Sequence, residues 1–131
     1  MASSKLELLT RKPPYLGVLA TVYPSGGPQA FPVWFEYDGQ HIYVVTWRRA
    51  AKLRNIRHNA RVALCVTDTC RETDTLTVLG RAEIIQDNAW AQEIHRREAV
   101  RYMGPERGQA YADSMAGEEL AVIRITPERF I

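Results

Sequence analysis

Six fixed positive charges lie close together in one segment of the chain, Thr46–Val62, which contains no carboxylate. No Asp or Glu occurs anywhere between Gly39 and Thr67. The six cations are Arg48, Arg49, Lys52, Arg54, Arg57 and Arg61. Three roles would explain such a cluster: a helix face exposed to solvent, a contact with nucleic acid, and a binding site for an anionic small molecule. The residues around the cations must distinguish among them.

Helical spacing predicts a helix that begins near Arg48, directly after a strand that ends at Trp47. The start of a helix carries a partial positive charge and favours Asp or Glu. Arg48, Arg49 and Lys52 oppose that charge, each at a cost of a few tenths to about 1 kcal/mol. No acidic partner occurs at i,i+4 either, although an exposed basic face usually has one. An anion at the helix start would relieve this repulsion. The predicted inward residues are Leu53, Ile56 and Ala60.

The strands beside this helix are rich in aromatic residues, which suits a flat apolar ring next to a phosphate. "FPVWF" lies upstream, and "IYVVTW" leads directly into the cations. A nucleic-acid interface would instead require a basic domain, whereas the whole chain has a net charge of only +2 and is net acidic outside this segment. The sequence also lacks G-x-G-x-x-G, G-x-x-x-x-G-K-[ST] and G-x-S-x-G motifs. A small-molecule anion site is therefore favoured.

Residue types that bind metals or act as nucleophiles are scattered along the chain. His41, His58 and His95 lack the H-x-x-x-H spacing of helical metal sites, so they are interpreted as surface or hydrogen-bonding residues. Cys65 lies in an apolar run and Cys70 in a polar one, which predicts one buried and one exposed thiol without a disulfide or metal role. The sequence predicts no metal site and no catalytic side chain.

Composition predicts one soluble domain over residues 1–131. Apolar residues make up 46% of the chain and charged residues 24%, which is typical of a globular protein with a single core. The start "MASSKLELLTRK" has no apolar signal region. No run approaches the ~20 apolar residues of a membrane span. We expect a cytoplasmic protein without a membrane or nucleic-acid partner.

Periodicity and turn residues divide the domain into strands and helices. Asp38-Gly39, between "PQAFPVWFEY" and "HIYVVTW", is a strong hairpin signal. Helical spacing spans "NAWAQEIHRREAVRYM", with Ala91, His95 and Glu98 in one row. The other predicted elements are a helix over "SSKLELLTRK" capped by Ser3 or Ser4, strands at "YLGVLATVY", "RVALCVTD", "TLTVLGRAEIIQ" and "ELAVIRITP", the turn "PSGG", the polar loop "TCRET", and a helical segment "RGQAYADSMAG" closed by Gly117.

Six mostly antiparallel strands with few alternating polar positions predict a sheet that closes on itself, because a barrel has no exposed edges. Runs such as "VALCV" and "IYVVT" are apolar on both faces. One face fills the barrel, and the other needs a helix, a ligand or a second subunit. The expected fold is mainly β with flanking helices: a six-stranded antiparallel barrel that forms a homodimer.

The ordered segments "LGVLATV", "PVWFEYDG", "TWRRAAK" and "NARVAL" resemble the pyridoxamine 5'-phosphate oxidase-like split β-barrel family of flavin and deazaflavin proteins, the FMN-binding split barrel. The resemblance continues through "LTVLGRAEII" and covers most of the chain. In that family two subunits pair, and a flavin-type cofactor lies in each of two grooves at their interface. The resemblance therefore implies both a homodimer and a flavin-type cofactor.

The resemblance also implies a cofactor site built from three parts of the chain. The strand matching "FPVWF" would follow the cofactor ring, and Thr75 would approach that ring from the fifth strand. The strand end and helix start would hold the phosphate, with Thr46 as the family's hydroxyl residue and Lys52 as its phosphate-binding lysine. The implied ring contacts are backbone groups of Pro32, Val33 and Trp34. The other implied contacts are Trp47, Arg48, Ala50 and Ala51.

Departures from the family pattern argue against vitamin B6 oxidation. Ala50-Ala51 stands where the pyridoxamine phosphate oxidases carry Ser-Arg. Ala30 and Phe35 match positions where they carry Arg and Lys. Their C-terminal substrate-binding extension has no counterpart in these 131 residues. The shorter branch that uses coenzyme F420 fits better. The anionic tail of that cofactor would meet Arg48, Arg49, Arg54 and Arg57.

We therefore expect an oxidoreductase that reduces a conjugated small molecule, such as an enone or quinone, with reduced F420. The alternatives are an FMN-dependent oxidoreductase of the same fold and a non-enzymatic flavin carrier or redox sensor. Haem handling on the same barrel lacks a well-placed histidine. The cofactor carries the redox chemistry, so Tyr23, Tyr37 and Tyr43 are interpreted as packing residues rather than proton donors.

Overall fold

A computed structural model describes residues 5–68 and 70–131, without the side chains of residues 72 and 73. The strands are β1 Gly17–Val22, β2 Pro28–Val33, β3 Glu36–Tyr37, β4 Ile42–Trp47, β5 Arg61–Asp68, β6 Arg71–Ile85 and β7 Leu120–Phe130. The helices are a 3-10 turn at Leu6–Leu9, α1 Ala51–His58, α2 Asn88–Met103 and α3 Pro105–Ser114. The strands form one antiparallel sheet in the order β2-β1-β5-β6-β7-β4-β3.

The two edges of this sheet are consecutive in the chain, which forces the sheet to curl. β2 lies at one edge and β3 at the other, yet β2 ends at Val33 and β3 begins at Glu36. Three Cα–Cα steps of about 3.8 Å keep these two residues within roughly 11 Å of each other. The sheet is therefore a curled half-barrel, consistent with a split barrel, and Trp34-Phe35 crosses the split.

The prediction of one strand over "PQAFPVWFEY" is wrong, and the strand count is seven rather than six. The backbone of Phe35 is held by α2 instead of by a neighbouring strand. Arg101 Nη1 donates to the Phe35 carbonyl at 2.7 Å, and the Phe35 N–H donates to the Tyr102 hydroxyl at 3.4 Å. These side-chain partners satisfy the backbone groups that a strand would have used.

The hairpin predicted at Asp38-Gly39 is confirmed between β3 and β4. Gly39 has a φ of 96°, a conformation that glycine adopts without strain. Asp38 Oδ1 accepts hydrogen bonds from the backbone N–H groups of Gln40 and His41 at 2.8 and 2.7 Å. The carboxylate thus closes the turn in the way that aspartate does in Asx turns.

The basic helix begins three residues later than predicted. α1 starts at Ala51. Arg48 lies before the helix, and its N–H donates to the carbonyl of Glu119, the residue that precedes β7, at 3.0 Å. Leu53 and Ile56 are buried as predicted. Ala60 lies beyond the end of the helix.

Other boundaries also differ from the predictions. The segment "TCRET" is not a long loop, because β6 already begins at Arg71; Thr69 lies outside the described residues. The last strand continues through Phe130. The segment predicted from "RGQAYADSMAG" is α3, which begins at Pro105. Met115, rather than Gly117, caps its end.

The N-terminal segment forms only a 3-10 turn, which buries Leu8 and Leu9. Ser3 and Ser4 lie outside the described residues. Cys65 is half-buried rather than fully buried, and Cys70 is exposed as predicted.

The hydrophobic core is divided between the two faces of the curled sheet. The larger cluster fills the inside of the half-barrel and includes Leu19, Phe35, Leu64 and Ile123. A smaller cluster lies under α2, where Ile94 packs with Ala91, Tyr43, Leu120 and Val122. α2 therefore covers the second apolar face that the sequence predicted for β4.

Close packing of α3 on α2 depends on Gly108. A Cβ atom at Gly108 would lie 2.5 Å from Val100 Cα and also collide with the Ala99 carbonyl. Both obstacles are backbone, so the helices would have to separate. We expect Gly108→Ala to destabilise the protein by roughly 1–3 kcal/mol in urea unfolding, despite the better helix propensity of alanine.

The matched control for that substitution is Gly117→Ala, because nothing lies within 4 Å of a Cβ built at Gly117. We expect its free energy of unfolding to stay within about 0.5 kcal/mol of the wild type. Equal unfolding midpoints for the two variants would contradict the proposed close contact.

Candidate functional site

A pocket of about 370 Å³ opens beside the split in the barrel. This volume lies in the range of small-molecule sites, about 300–1,000 Å³. The pocket is bounded by the end of β2, the end of β4, the first turn of α1, and one side of α2 and α3. Its lining residues are Leu16, Pro32, Val33, Trp34, Val45, Thr46, Trp47, Lys52, His95, Glu98, Tyr111, Met115 and Leu120.

The structure brings most of the predicted cofactor residues together at this pocket. Those that line it are Pro32, Val33, Trp34, Thr46, Trp47 and Lys52. Arg48, Ala50, Ala51 and Thr75 are not among the lining residues. Arg48 pairs with Glu119 at 3.1 Å, and Thr75 donates to the Val66 carbonyl at 3.2 Å. Cofactor contact by any of these residues stays a prediction.

Lys52 places a half-buried positive charge at one end of the pocket. Its Nζ lies 4.1 Å from the centroid of the Phe31 ring. No carboxylate among the described side chains forms an ion pair with it. Burial lowers the pKa of Lys52, because desolvation disfavours the charged form. An anion bound beside the ammonium group would compensate that cost.

The first turn of α1 adds unpaired backbone donors near Lys52. Ala50 caps the helix without a side-chain hydrogen bond, and the first turn has no acidic residue. Asn55 fixes the buried side of the helix to the sheet: its Nδ2 donates to Thr21 Oγ1 at 3.0 Å and to Gln29 Oε1 at 2.9 Å. This buried anchor holds the helix start against β1 and β2. A cation and free N–H groups together suit a phosphate.

Trp34 forms an aromatic wall of the pocket. Its ring stacks on Tyr102, with centroids 5.2 Å apart and an interplanar angle of 6°. His95 stacks beside it at 6.2 Å, and Tyr111 meets it edge-on at 5.8 Å. These contacts fix the orientation of the indole. Such a rigid apolar surface suits a flat conjugated ring.

Sequence reasoning missed the side of the pocket that α2 and α3 supply. The missed lining residues on this side are His95, Glu98 and Tyr111, with Met115 directly after α3; Leu16, Val45 and Leu120, on or beside the strands, were missed as well. One signal was present, since Ala91, His95 and Glu98 share a helical row. A glutamate aligned with apolar or aromatic positions is unusual, because buried carboxylates are rare unless paired.

Glu98 and His95 are buried polar residues with unsatisfied atoms. Glu98 is 2% exposed and His95 is 8% exposed. Glu98 Oε2 and His95 Nδ1 have no hydrogen-bond partner in the described part of the chain. Burial, reinforced by the negative charge of Glu36, raises the pKa of Glu98 well above its usual range, against opposing effects of Arg101 and Arg97. Burial lowers the pKa of His95.

The tyrosines considered as proton donors do not line the pocket. Tyr43 donates to Asp38 Oδ2 at 3.0 Å, and Tyr37 donates to the Gly39 carbonyl at 3.1 Å. Both therefore support the β3–β4 hairpin.

Among the described residues, no cluster of three or more His, Cys, Asp or Glu could hold a metal. No described helix is long and apolar enough to cross a membrane.

Comparison with known proteins identifies the family. The family model described as pyridoxamine 5'-phosphate oxidase matches residues 7–131. The chain belongs to the pyridoxamine 5'-phosphate oxidase family. Within it, the chain is 35% identical over 120 residues to a 5a,11a-dehydrotetracycline/5a,11a-dehydrooxytetracycline reductase of Streptomyces rimosus subsp. rimosus, covering 88% of this chain and 71% of that protein.

Solved structures agree with membership of the pyridoxamine 5'-phosphate oxidase family. A structure described as an F420 reductase superposes with a TM-score of 0.78 and 30% identity, covering 96% of this chain and 94% of that one. A conserved hypothetical protein from Mycobacterium tuberculosis superposes with a TM-score of 0.74 and 25% identity, covering 98% and 81%.

The buried carboxyl of Glu98 predicts a pH-dependent stability. A raised pKa in the folded state means that Glu98 favours folding below the unfolded pKa near 4.5. This contribution is lost as the pH rises through the folded-state pKa. We expect Glu98→Gln to raise the melting temperature, relative to the wild type, more at about pH 8 than at about pH 4.

Glu93→Gln on the same helix is the control. Glu93 is exposed, and its hydrogen bond with Arg96 lowers its pKa, so its removal cannot relieve an alkaline destabilisation. A difference between wild type and Glu98→Gln that did not change with pH would contradict the assigned environment of Glu98.

Proposed function

We propose that this protein is a flavin-type oxidoreductase that uses reduced coenzyme F420 to reduce a conjugated small-molecule acceptor. The observation that carries the proposal is Lys52, a half-buried cation without an ion-pair partner among the described side chains, at the edge of a pocket walled by Trp34. When bound, the cofactor supplies the hydride for the reaction. The names of two relatives, a dehydrotetracycline reductase and an F420 reductase, support the same reaction class.

The chain's own residues would bind the cofactor at two places. Lys52 and the free N–H groups at the start of α1 would neutralise the phosphate. Trp34 and the backbone of Pro32 and Val33 would lie along the ring, because these residues form the apolar wall. Thr46, which is buried, would offer its hydroxyl at the end of β4.

F420 is proposed ahead of FMN because of the charges outside the pocket. Arg49, Arg54 and Arg57 are exposed and would meet an anionic tail that extends beyond the phosphate. Arg48, also proposed for this role, is engaged by Glu119 at 3.1 Å, and an anionic tail would have to compete with that carboxylate. Such exposed ion pairs are weak, about 0–1 kcal/mol, so an anionic tail could displace Glu119 from Arg48 at little cost in free energy.

The cofactor site is proposed to be completed by a second copy of the chain. Three large apolar side chains, Leu16, Val18 and Trp47, are 53%, 43% and 52% exposed. Leu16 and Trp47 also line the pocket. A surface of this kind is typical of a protein–protein contact, and a homodimer is the arrangement implied by the family resemblance.

Titration of purified protein with F420 and FMN, followed by cofactor fluorescence, tests the cofactor assignment. We expect tight binding of F420 and weak binding of FMN. The reverse order would make the protein an FMN-dependent member of the family. Binding without turnover of any enone or quinone would favour a carrier or redox sensor. If neither cofactor binds, the proposed function is wrong.

Lys52→Met tests the anion site in the same titration. Loss of a charged hydrogen bond to phosphate should weaken cofactor binding roughly 10–100-fold. The circular dichroism spectrum should stay unchanged, since Lys52 lies at the pocket rather than in the core. Arg61→Met is the control, because Arg61 is an exposed cation beyond the far end of α1. Equal affinities for wild type and Lys52→Met would remove Lys52 from the site.

A further inference from the structure

The side of the pocket formed by α2 contains two buried polar side chains that each leave one polar atom without a hydrogen bond in the described part of the chain. Glu98 and His95 are three residues apart on α2 and therefore share one helix face. Both line the pocket. Each has a buried polar atom, Oε2 of Glu98 and Nδ1 of His95, without a partner in the described part of the chain. Buried polar groups without a partner destabilise a fold, so these two atoms call for a partner that the chain itself does not supply.

The cations near Glu98 are engaged elsewhere. Arg97 forms a two-pronged contact with Glu36, at 2.8 and 3.2 Å. Arg101 donates to the carbonyl oxygens of Phe35 and Leu9, at 2.7 and 3.1 Å. Neither arginine forms an ion pair with Glu98. Desolvation of a buried carboxyl that has no ionic partner penalises its anion and therefore favours its protonated form.

We propose that Glu98 is the proton donor to the acceptor that is reduced in this pocket, with neutral His95 as a second polar contact for the acceptor's oxygen. The inference rests on the proposed function, which supplies the reductant, a reduced deazaflavin or flavin. It also narrows the acceptor class to conjugated carbonyl compounds, because a carbonyl oxygen accepts the hydrogen bond that a protonated carboxyl donates.

The proton transfer balances with a two-electron reduction of the acceptor. Hydride adds to the carbon of the acceptor's C=C bond that is remote from the carbonyl. The C=C π pair then forms a double bond to the carbonyl carbon, and the C=O π pair moves onto the oxygen. The Glu98 O–H bond breaks, and the proton moves to that oxygen. The resulting enol isomerises to the saturated ketone when the acceptor is an enone and to the hydroquinone when it is a quinone, and the Glu98 carboxylate regains a proton from water. The reductant is oxidised, and Glu98 ends unchanged.

The groups around Glu98 favour its return to the acid form. Glu36 faces it from β3 and disfavours the anion, while Arg97 and Arg101 on α2 stabilise the anion as it forms. Tyr102, whose pKa burial raises to about 12, stays neutral. Tyr111 of α3 contacts His95 at a centroid distance of 5.4 Å. Two partly engaged arginines thus assist the transfer without holding Glu98 ionised beforehand.

The first test needs no cofactor. Infrared spectra of protein labelled with ¹³C at the glutamate carboxyl should show, at about pH 7, a protonated carboxyl band that is absent from Glu98→Gln. The control Glu93→Gln should retain the band, because Glu93 is exposed and its pKa is lowered by Arg96. Absence of the band from the wild type would overturn the proposal.

The second test uses the full chain with the cofactor that binds in the titration, and 2-cyclohexen-1-one and menadione as acceptors. Glu98→Gln should lower kcat about 100-fold, the typical contribution of a general acid. The affinity for the cofactor should stay within about twofold of the wild type, since Glu98 is not among the residues proposed to contact the cofactor's ring or phosphate. Glu93→Gln should keep the wild-type kcat.

The outcomes separate this inference from the proposed function. A wild type that turns over an acceptor, together with an equally fast Glu98→Gln variant, overturns the donor role and leaves the reductase proposal intact. A wild type that binds no cofactor, or reduces neither acceptor, contradicts the reductase proposal, and the donor role fails with it even where the infrared band is present.

Discussion

The arrangement of the pocket depends on one constraint: the chain must pass from one edge of the sheet to the other within two residues. Trp34 and Phe35 make that crossing between β2 and β3, and they cannot use strand hydrogen bonds while doing so. Arg101 and Tyr102 of α2 supply the missing partners for Phe35. The helix is thereby docked at the split, because leaving these backbone groups unsatisfied would cost about 1–3 kcal/mol each.

That docking explains why His95 and Glu98 reach the pocket. They lie one to two turns before Arg101 on the same helix. Tyr102 stacks on Trp34, so the aromatic wall and the buried acid are fixed by the same helix. Gly108 then lets α3 approach α2 closely, which places Tyr111 at the edge of the indole. A single local break in a strand thus determines the shape of one whole side of the site.

The sequence predicted the elements that have their own local signals. α2 was predicted over its full extent because of its helical spacing, and Asp87 caps it by accepting from the Trp90 N–H at 3.1 Å. The hairpin at Asp38-Gly39 was predicted because the turn residues act locally. The break at Trp34-Phe35 was missed, since an aromatic-rich apolar run looks the same whether it stays on one sheet edge or crosses to the other.

The residues of the candidate site also divide into those that have a local sequence signal and those that do not. Trp34, Thr46 and Lys52 were found because they lie in two short segments with a recognisable order. Glu98 shares a helical row with Ala91 and His95, but only the docking of α2 at the split shows that this row meets the pocket.

The two sides of the pocket have opposite electrostatic characters, and under the proposed function this difference suits them to different tasks. On the α1 side, burial lowers the pKa of the Lys52 ammonium group, whereas on the α2 side burial raises the pKa of the Glu98 carboxyl. The two groups line one cavity without forming an ion pair in the described structure. If they did pair, the pocket would have neither an anion site nor a proton to donate.

Proteins of one fold can catalyse different reactions, because the residues of the site rather than the fold determine the chemistry. In this chain, α1 and the strand ends would select the cofactor, while α2 and α3 would select and protonate the acceptor. Substitutions on one side should therefore change one property with little effect on the other.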